Sequence, residues 1–290
     1  MSRNKITEED ANKRIESQMT NRERVKRADV VISNREDLKS TQAQLVKAWT
    51  GMTKSRLSAA KSAYTLFTTT KTLDKGLLGC WAALCRNLGV TLSSSLEWWR
   101  KIRRHYCESH RYYHTTRHLE DMFRVAAELS KDNIVSNDVA LAIFFHDIVY
   151  DPTRKDNEHV SAEIFRDFIK SCAPTFPGTK KVAEWIERTA KHHTGPEAKG
   201  DLAIFLDADL SVLGSSASRY AEYAESIRME YAHVVWPMFQ SRRITVLERF
   251  LSVPHMYYTE QGRATMEPLA RTNLEGEILR LRPAVPRGKI

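Results

Sequence analysis

The sequence predicts a mainly α-helical protein with a short α/β segment at its N-terminus. From residue 73 onward, apolar residues recur at the three- and four-residue spacing of amphipathic helices, and no stretch there shows convincing strand alternation. Of the 290 residues, 42% are hydrophobic and 28% are charged, which is ordinary for a globular protein with a substantial core. No window approaches the roughly 18 consecutive apolar residues of a membrane span, so we expect no membrane partner.

The N-terminal part is predicted to form two helices around one short strand, followed by a linker. The helices cover residues 5–19 and 36–50, and the β-branched run ADVVIS at residues 28–33 has the composition of a strand. Residues 51–72 are rich in Ser, Thr and Lys, and we interpret them as a linker. A single strand cannot form a sheet by itself, so ADVVIS needs partners that this chain does not obviously offer.

The net charge of +9 is concentrated at the N-terminus. Residues 1–72 hold 15 Lys or Arg against 8 Asp or Glu, a net +7, which leaves only +2 for the rest of the chain. The main body therefore lacks the uniformly basic face of a nucleic-acid-binding protein, and we expect no nucleic-acid partner. The four cysteines show no CxxC spacing and the N-terminus lacks the apolar core of a secretory signal, so we expect a reducing, cytoplasmic setting.

Beyond residue 73, Gly and Pro divide the chain into helical segments. Gly89 is predicted to end the first helix, and Asp151-Pro152 interrupts the chain before a helix that Asp156 or Asn157 begins. The predicted helical or apolar segments are residues 77–89, 96–109, 111–129, 138–150, 158–172, 182–193, 203–214, 220–231, 236–251 and 266–281. Residues 283–290 are predicted to be a flexible tail.

The most unusual segment is LAIFFHDIVYD at residues 141–151, which places His146 and Asp147 inside an apolar run. Burying an unpaired charge is costly, so an ionisable pair in a core helix needs a partner. For an isolated HD dipeptide, the ordinary explanation is a hydrogen-bonded His beside a capping Asp. The rest of the chain decides whether that explanation holds here.

Further candidate ligands lie on other predicted helices of the same region. The set comprises His118, His146, Asp147 and either Asp207 or Asp209. Imidazole nitrogens with carboxylate oxygens suit Zn, Mn, Fe, Ni, Co or Mg, and a helical bundle can bring ligands from separate helices together in its core. Each residue alone has an ordinary structural explanation, but their order around one apolar HD favours a divalent metal centre.

The N-terminal segments RNKITEEDANKRIESQM, RADVVISN and QAQLVKAW resemble the C-terminal end of dephospho-CoA kinase, and most closely the tail of the animal bifunctional CoA synthase. The resemblance covers about residues 3–50. The GxxxxGK[ST] loop that cradles phosphates in such kinases is absent from all 290 residues. We therefore interpret residues 1–50 as a kinase remnant, or the end of a longer fusion, without kinase activity of its own.

The order H…HD…D resembles the HD superfamily of metal-dependent phosphohydrolases, and most closely a branch of predicted phosphohydrolases within it. The similarity runs from about residue 73 to 281 and includes RYYHTTRHL, FFHDIVYDPTRKDNEHVSAEIF, FLDADLSVLG, EYAHV and RRITVLERFL. It implies an HD-type helical bundle over residues 73–282. The ligands that it implies are His118, His146, Asp147 and Asp209, with Asp207 as the second choice for the last.

YHTTRH at residues 113–118 is also similar to the YHNxxH motif of cyclic-nucleotide phosphodiesterases, in which the first His is the proton donor and the second a ligand. This resemblance implies that His114 protonates the leaving oxygen as a general acid. On a helix, His114 and His118 would share one face. Asp147 is expected to assist by accepting the proton of the attacking water.

Other polar residues are candidates for a second metal or for phosphate binding. The superfamily's two-metal spacing is not clearly reproduced, so one metal is the base prediction. Further metal or outer-ligand candidates are Asp207, Glu158, His159, His192 and His193. Phosphate-binding candidates, each of which is individually better explained as part of a solvated helix face, are Arg117, Lys155, Lys191, Arg242 and Arg243.

The sequence thus predicts metal-dependent hydrolysis of a phosphoester or phosphoanhydride. We expect a small phosphorylated metabolite or nucleotide as substrate, related to the coenzyme A pathway if the kinase resemblance reflects a fusion. The alternative is a non-catalytic HD-fold module that binds a metal or nucleotide and regulates an attached dephospho-CoA kinase or CoA synthase. The sequence indicates no oligomeric state.

Overall fold

The structure is a computed structural model that describes residues 73–191 and 198–282. These residues belong to the second of the two units into which the chain divides, Ser62–Ile290. The predictions for residues 1–72, for His192 and His193, and for the tail at residues 283–290 lie outside the described residues.

Eleven α-helices make up the described part of the chain, which contains no strand. Numbered in chain order, they are α1 (Leu73–Asn87), α2 (Leu92–Tyr106), α3 (Thr116–Leu129), α4 (Asn137–Phe145), α5 (Asn157–Cys172), α6 (Thr179–Arg188), α7 (Asp201–Asp209), α8 (Ala217–Glu230), α9 (Trp236–Ser252), α10 (Glu260–Thr265) and α11 (Glu267–Leu281). Short 3-10 helices cover Lys131–Asn133, Thr189–Lys191 and Leu210–Gly214. The predicted mainly α-helical fold is confirmed. In the described part, no helix combines the length and apolar character that crossing a membrane requires.

The first helix ends at the glycine that the sequence indicated. Gly89 has a φ of +70°, a left-handed conformation that glycine adopts without steric cost. The N–H of Gly89 donates to the Arg86 carbonyl at 3.1 Å, and the N–H of Val90 donates to the Cys85 carbonyl at 2.8 Å. This is the hydrogen-bond pattern of a Schellman motif, which satisfies the last carbonyl groups of α1.

The predicted helix at residues 138–150 is shorter in the structure, because α4 ends at Phe145. The reason is a buried arginine from the loop before α3. The guanidinium of Arg111 donates to the carbonyl oxygens of Asp147 at 2.7 Å and Ile148 at 3.0 Å. These two oxygens are therefore satisfied without a continuing helix, and the HD pair lies in the turn at the end of α4.

Other helix boundaries differ from the prediction as well. The segment at residues 111–129 becomes helical only at Thr116, because Glu230 binds the backbone N–H groups of the preceding residues. The segment at residues 203–214 is helical from Asp201 to Asp209 and then tightens into a 3-10 helix. The segment at residues 182–193 begins earlier, at Thr179. These three segments lie where the sequence predicted them but have other boundaries, whereas the predicted bounds 158–172 and 236–251 agree with α5 and α9 to within one residue.

Helix α4 is the centre of the first of two hydrophobic cores. All seven of its residues from Val139 to Phe145 are buried, and α4 packs against α1, α3, α6 and α7. The Phe144 ring meets Trp81 edge-on at 5.2 Å, and the Phe145 ring stacks on Phe168 at 5.2 Å. Burying each such side chain contributes about 1.5–3 kcal/mol to folding, so this helix is a rigid support for the HD pair that follows it.

The second core is formed by α8, α9, α11 and the 3-10 helix that follows α7. It contains a buried ion pair between Arg243 of α9 and Glu277 of α11, with Nε–Oε1 at 2.8 Å and Nη2–Oε2 at 3.1 Å. The Tyr220 hydroxyl also donates to Glu277. Arg243 was a candidate for phosphate binding, but the structure buries it and commits its guanidinium to Glu277. That assignment is therefore wrong.

Neighbouring arginines should differ sharply in their effect on stability. Replacing Arg243 with Ala leaves the Glu277 carboxylate buried without its cation, and we expect a loss of about 3–5 kcal/mol in the free energy of unfolding. Replacing the exposed Arg242 with Ala should change it by no more than about 0.5 kcal/mol. Urea unfolding of both variants measures the difference, and equal stabilities would contradict the buried pair.

Candidate metal centre

Four of the predicted ligand side chains converge where α3, α4 and α7 meet. His118 lies in the first turn of α3, His146 and Asp147 follow α4, and Asp209 ends α7. Both histidines are buried, and the two aspartate side chains are only 15% and 11% exposed. The sequence left Asp207 and Asp209 as alternatives, and the structure brings Asp209 into the cluster.

The distances within this cluster match a shared cation. His118 Nε2 lies 3.1 Å from Asp209 Oδ1 and 3.2 Å from His146 Nε2. His146 Nε2 lies 3.1 Å from Asp147 Oδ2 and 3.5 Å from Asp209 Oδ1. Ligand atoms that each lie about 2.0–2.2 Å from one metal ion are themselves roughly 3–4 Å apart. His118, His146 and Asp209 are therefore spaced like the ligands of one ion. Asp147 borders these three, with its Oδ2 3.1 Å from His146 Nε2 and 4.0 Å from His118 Nε2.

A backbone carbonyl fixes the tautomer of His146. Its Nδ1 lies 3.0 Å from the carbonyl oxygen of Ile143, which can only accept a hydrogen bond. Nδ1 therefore carries the proton, and Nε2 offers its lone pair to the cluster. An outer hydrogen bond of this kind is the usual partner of a metal-binding imidazole.

The electrostatics of the cluster favour a positive charge at its centre. Burial alone lowers the pKa of His146, but the carboxylates of Asp147 and Asp209 outweigh it and raise that pKa well above its ordinary value. Burial alone raises the pKa of Asp147, yet His146 beside it brings the net value below the ordinary one. Two imidazole nitrogens facing each other at 3.2 Å also repel unless a proton or cation lies between them. The donor set thus fits a divalent metal ion.

Asp207 serves a different part of the fold. Its fully buried carboxylate accepts hydrogen bonds from the backbone N–H of Tyr258 at 2.7 Å and of Thr259 at 2.8 Å, and from the Thr259 hydroxyl at 2.7 Å. Thr259 in turn caps α10. Burial raises the pKa of Asp207, while these donors oppose the rise. Asp207 therefore anchors the segment before α10 and lies outside the ligand cluster.

A third histidine borders the cluster and is held by a buried carboxylate. His114 Nε2 lies 3.9 Å from Asp147 Oδ2, and His114 Nδ1 lies 2.7 Å from Glu230 Oε2. The Tyr150 ring stacks on His114 at 4.0 Å, and its hydroxyl donates to the same Glu230 oxygen at 2.7 Å. The ring of His114 is therefore fixed on one side by an ion pair and on its face by an aromatic ring.

Glu230 also organises the backbone that carries His114. Its Oε1 accepts the N–H groups of Tyr112 at 2.8 Å, Tyr113 at 2.8 Å and His114 at 3.0 Å. Burial alone raises the pKa of Glu230, but the charge and hydrogen bond of His114 lower it to about 2. Conversely, burial lowers the pKa of His114, and Glu230 more than compensates, so that this pKa lies above its ordinary value. The pair is best described as a carboxylate that orients an imidazole.

Arg111 ties this segment to the turn that holds the HD pair. In addition to Asp147 and Ile148, its guanidinium donates to the His114 carbonyl at 3.3 Å and to Glu108 at 2.9 Å. The side chain is fully buried. The sequence predictions missed both Arg111 and Glu230. Their only signal was that each is the first residue of a motif on which the HD resemblance depends, RYYHTTRHL and EYAHV.

The remaining predicted residues whose side chains the structure describes lie outside the cluster. Glu158 lies half-buried in the first turn of α5, where burial raises its pKa and the charge of Asp147 adds to the rise. His159 is exposed and lies 3.6 Å from Glu187. The exposed basic candidates are Arg117, Lys155 and Arg242. The side chain of Lys191 lies outside the described part of the chain.

Comparison with known proteins confirms the resemblance of the N-terminal segment. The family model for dephospho-CoA kinase matches residues 1–40. A dephospho-CoA kinase of Listeria monocytogenes serotype 4b (strain F2365) is 52% identical over 46 residues, which are 16% of this chain and 23% of the Listeria protein. The chain thus matches less than a quarter of that relative's length. No solved structure matches the chain.

Substitutions at Asp207 and Asp209 should have different effects, one on stability and the other on metal binding. Asp209→Asn removes a carboxylate that we expect to bind the metal directly. Losing a residue that only hydrogen-bonds to a metal ligand weakens metal binding by roughly 10–100-fold, so Asp209→Asn should weaken Mn²⁺ binding by more than that. Asp207→Asn should keep the affinity for Mn²⁺ but lower the free energy of unfolding by about 1–3 kcal/mol, because a buried acceptor network loses its charge. Calorimetric titration with Mn²⁺ and urea unfolding measure the two effects, and the reverse assignment would contradict the geometry.

Proposed function

We propose that the described domain is an HD-type, metal-dependent phosphohydrolase acting on a small phosphorylated metabolite or nucleotide. The observation that carries this proposal is the convergence of His118, His146, Asp147 and Asp209 from three helices into one buried cluster. The resemblance of the surrounding motifs to the HD superfamily supports the same conclusion. A divalent metal, when bound, would acidify a water molecule and polarise a phosphoryl oxygen.

The protein's own residues would orient the reaction around this centre. Asp147 stays ionised at neutral pH, because its pKa is lowered, and its carboxylate can orient the attacking water and accept its proton. The water oxygen forms a bond to phosphorus while the phosphorus–oxygen bond to the leaving group breaks. The surrounding apolar helices restrict solvent around these groups, which strengthens their electrostatic interactions.

His114 would protonate the leaving group. Its Nδ1 is committed to Glu230, so its Nε2 is the atom available on the side of Asp147. Protonation of the departing oxygen prevents the release of an unstable alkoxide, and a positioned acid of this kind contributes about 10²–10⁴-fold to a rate. Glu230 acts through His114 as a positioning residue, and Tyr150 and Arg111 hold the two in place.

The second candidate function is a non-catalytic module that binds a metal or nucleotide. The similarity of residues 1–40 to dephospho-CoA kinase favours it, since a fused domain can regulate a kinase. The pairing of His114 with Glu230 favours the enzyme, because metal binding alone does not need an oriented imidazole beside the ligands. A substrate from the coenzyme A pathway is part of the proposal only if the N-terminal segment belongs to a fusion.

Phosphate release from a panel of esters tests the proposal. The protein would be loaded with Mn, Zn, Fe, Ni, Co or Mg and given 4-nitrophenyl phosphate, glycerol phosphate, nucleoside phosphates, 4′-phosphopantetheine and dephospho-CoA. Turnover that depends on one of these metals supports the enzyme. Metal binding without turnover of any ester supports the non-catalytic module instead.

The role of His114 predicts a dependence on the leaving group. With glycerol phosphate, whose alcohol needs a proton, His114→Ala should lower kcat by about 10²–10⁴-fold. With 4-nitrophenyl phosphate, whose phenolate leaves unprotonated, the loss should be much smaller. Glu230→Gln should show the same pattern at reduced size, because Gln can still accept a backbone N–H but cannot hold the imidazole as a charged partner.

The matched control for this experiment is His159→Ala. His159 is exposed and lies outside the cluster, so its removal should leave both rates unchanged. Bound metal should also be unchanged in His114→Ala. Equal losses of kcat with both esters would show that His114 does not act as the acid.

A further inference from the structure

A cavity of about 420 Å³ is lined by none of the candidate ligands, but it shares one wall residue, Tyr113, with their surroundings. Its wall includes Tyr113, whose ring centroid is 4.9 Å from that of His118 and 5.0 Å from that of His114. A cavity of this size lies at the small end of the range for ligand pockets, about 300–1,000 Å³. It is large enough for one compact organic group.

The cavity and the proposed acid share one rigid support. Tyr112 and Tyr113 line the cavity, and Glu230 accepts both of their backbone N–H groups at 2.8 Å. The same carboxylate holds the His114 ring. A group bound in the cavity is therefore positioned relative to the group that would protonate the leaving oxygen.

Two large apolar side chains line this cavity and remain accessible. Tyr112 is 49% exposed and Met229 is 44% exposed. Such residues are normally covered, and when they line a concavity they offer a surface for an apolar or aromatic face of a ligand. The Tyr112 ring stands on a backbone that Glu230 fixes, so its position costs little entropy on binding.

The charges of the lining balance one another. The guanidinium of Arg219 pairs with Asp121 at 2.7 Å and with Glu222 at 3.2 Å, and Arg117 lies 3.7 Å from the same Glu222. The exposed carboxylate of Glu225 is the fourth charged group of the lining. Two positive and two negative side chains leave no excess charge for a second phosphate group. Carboxylates instead suit the N–H and O–H donors of an uncharged group.

The geometry points to this cavity as the site of the leaving group of the substrate, which we infer to be an uncharged alcohol with N–H or O–H donors and a flat or apolar face. The inference rests on the proposed function, because it assumes that the phosphate occupies the adjacent metal centre. The inference predicts that monophosphate esters are better substrates than polyphosphates. Both a nucleoside and a pantetheine group have this chemistry, the first through its base and ribose and the second through its amides.

Binding of the unphosphorylated alcohols tests the cavity separately from catalysis. Adenosine and pantetheine would be titrated by calorimetry into the wild-type protein, Tyr112→Ala and the control Leu279→Ala, whose side chain is 71% exposed on α11 and does not line the cavity. We expect one of the two to bind. Its affinity should fall at least about fivefold in Tyr112→Ala, as for loss of one stacked base, and stay unchanged in Leu279→Ala.

The outcomes distinguish this inference from the proposed function. Absence of binding by both alcohols overturns the inference, even if 4-nitrophenyl phosphate is hydrolysed. The inference is also overturned if adenosine triphosphate binds more tightly than adenosine monophosphate and this difference disappears in Arg117→Ala. The lining of the cavity would then hold a second phosphate. Binding of one alcohol without turnover of any ester supports the cavity as a ligand site and overturns only the proposed hydrolysis.

Discussion

The helices around the centre of this domain are arranged about one buried cluster of ionisable side chains. Two buried imidazole nitrogens, on His118 and His146, face each other at 3.2 Å between the carboxylates of Asp147 and Asp209. A proton or a cation at the centre stabilises this group, because the His146 Nε2 and both carboxylates direct electron pairs toward it. Helices α3, α4 and α7 therefore do more than fill a core, since they bring together side chains that could hold a cation.

Outside the cluster, the carboxylate of Glu230 fixes the next group of residues. Glu230 accepts hydrogen bonds from the imidazole of His114 and from the backbone N–H of Tyr113, which lines the cavity. Arg111 connects the same backbone segment to the turn that holds His146 and Asp147. The proposed acid, the proposed ligands and the cavity are thus parts of one hydrogen-bonded unit. Preorganisation of this kind reduces the entropy that must be lost when a substrate is bound.

The sequence predicted the helices because helical spacing is a local pattern, and it proposed ligand residues from the HD pair and from the order of the motifs around that pair. Helical spacing marks an amphipathic segment wherever it packs, and the HD pair is conspicuous inside its apolar run. The sequence did not reveal Glu230, which lies 116 residues from His114, because a contact of that separation leaves no periodic signal. It also misassigned Arg243, since an arginine on an amphipathic helix does not show by itself whether it faces solvent or a buried Glu277.

The most direct test of the central claim is elemental analysis of the purified protein beside the double variant His146→Ala, Asp147→Ala. The account predicts one equivalent of a divalent metal, as purified or after incubation with Mn²⁺, Zn²⁺ or Fe²⁺, and its loss in the double variant. The variant removes only the pair at the end of α4, so circular dichroism should show the helices retained. Absence of metal from the wild-type protein under all of these conditions would contradict the account and leave the HD pair as a buried structural element.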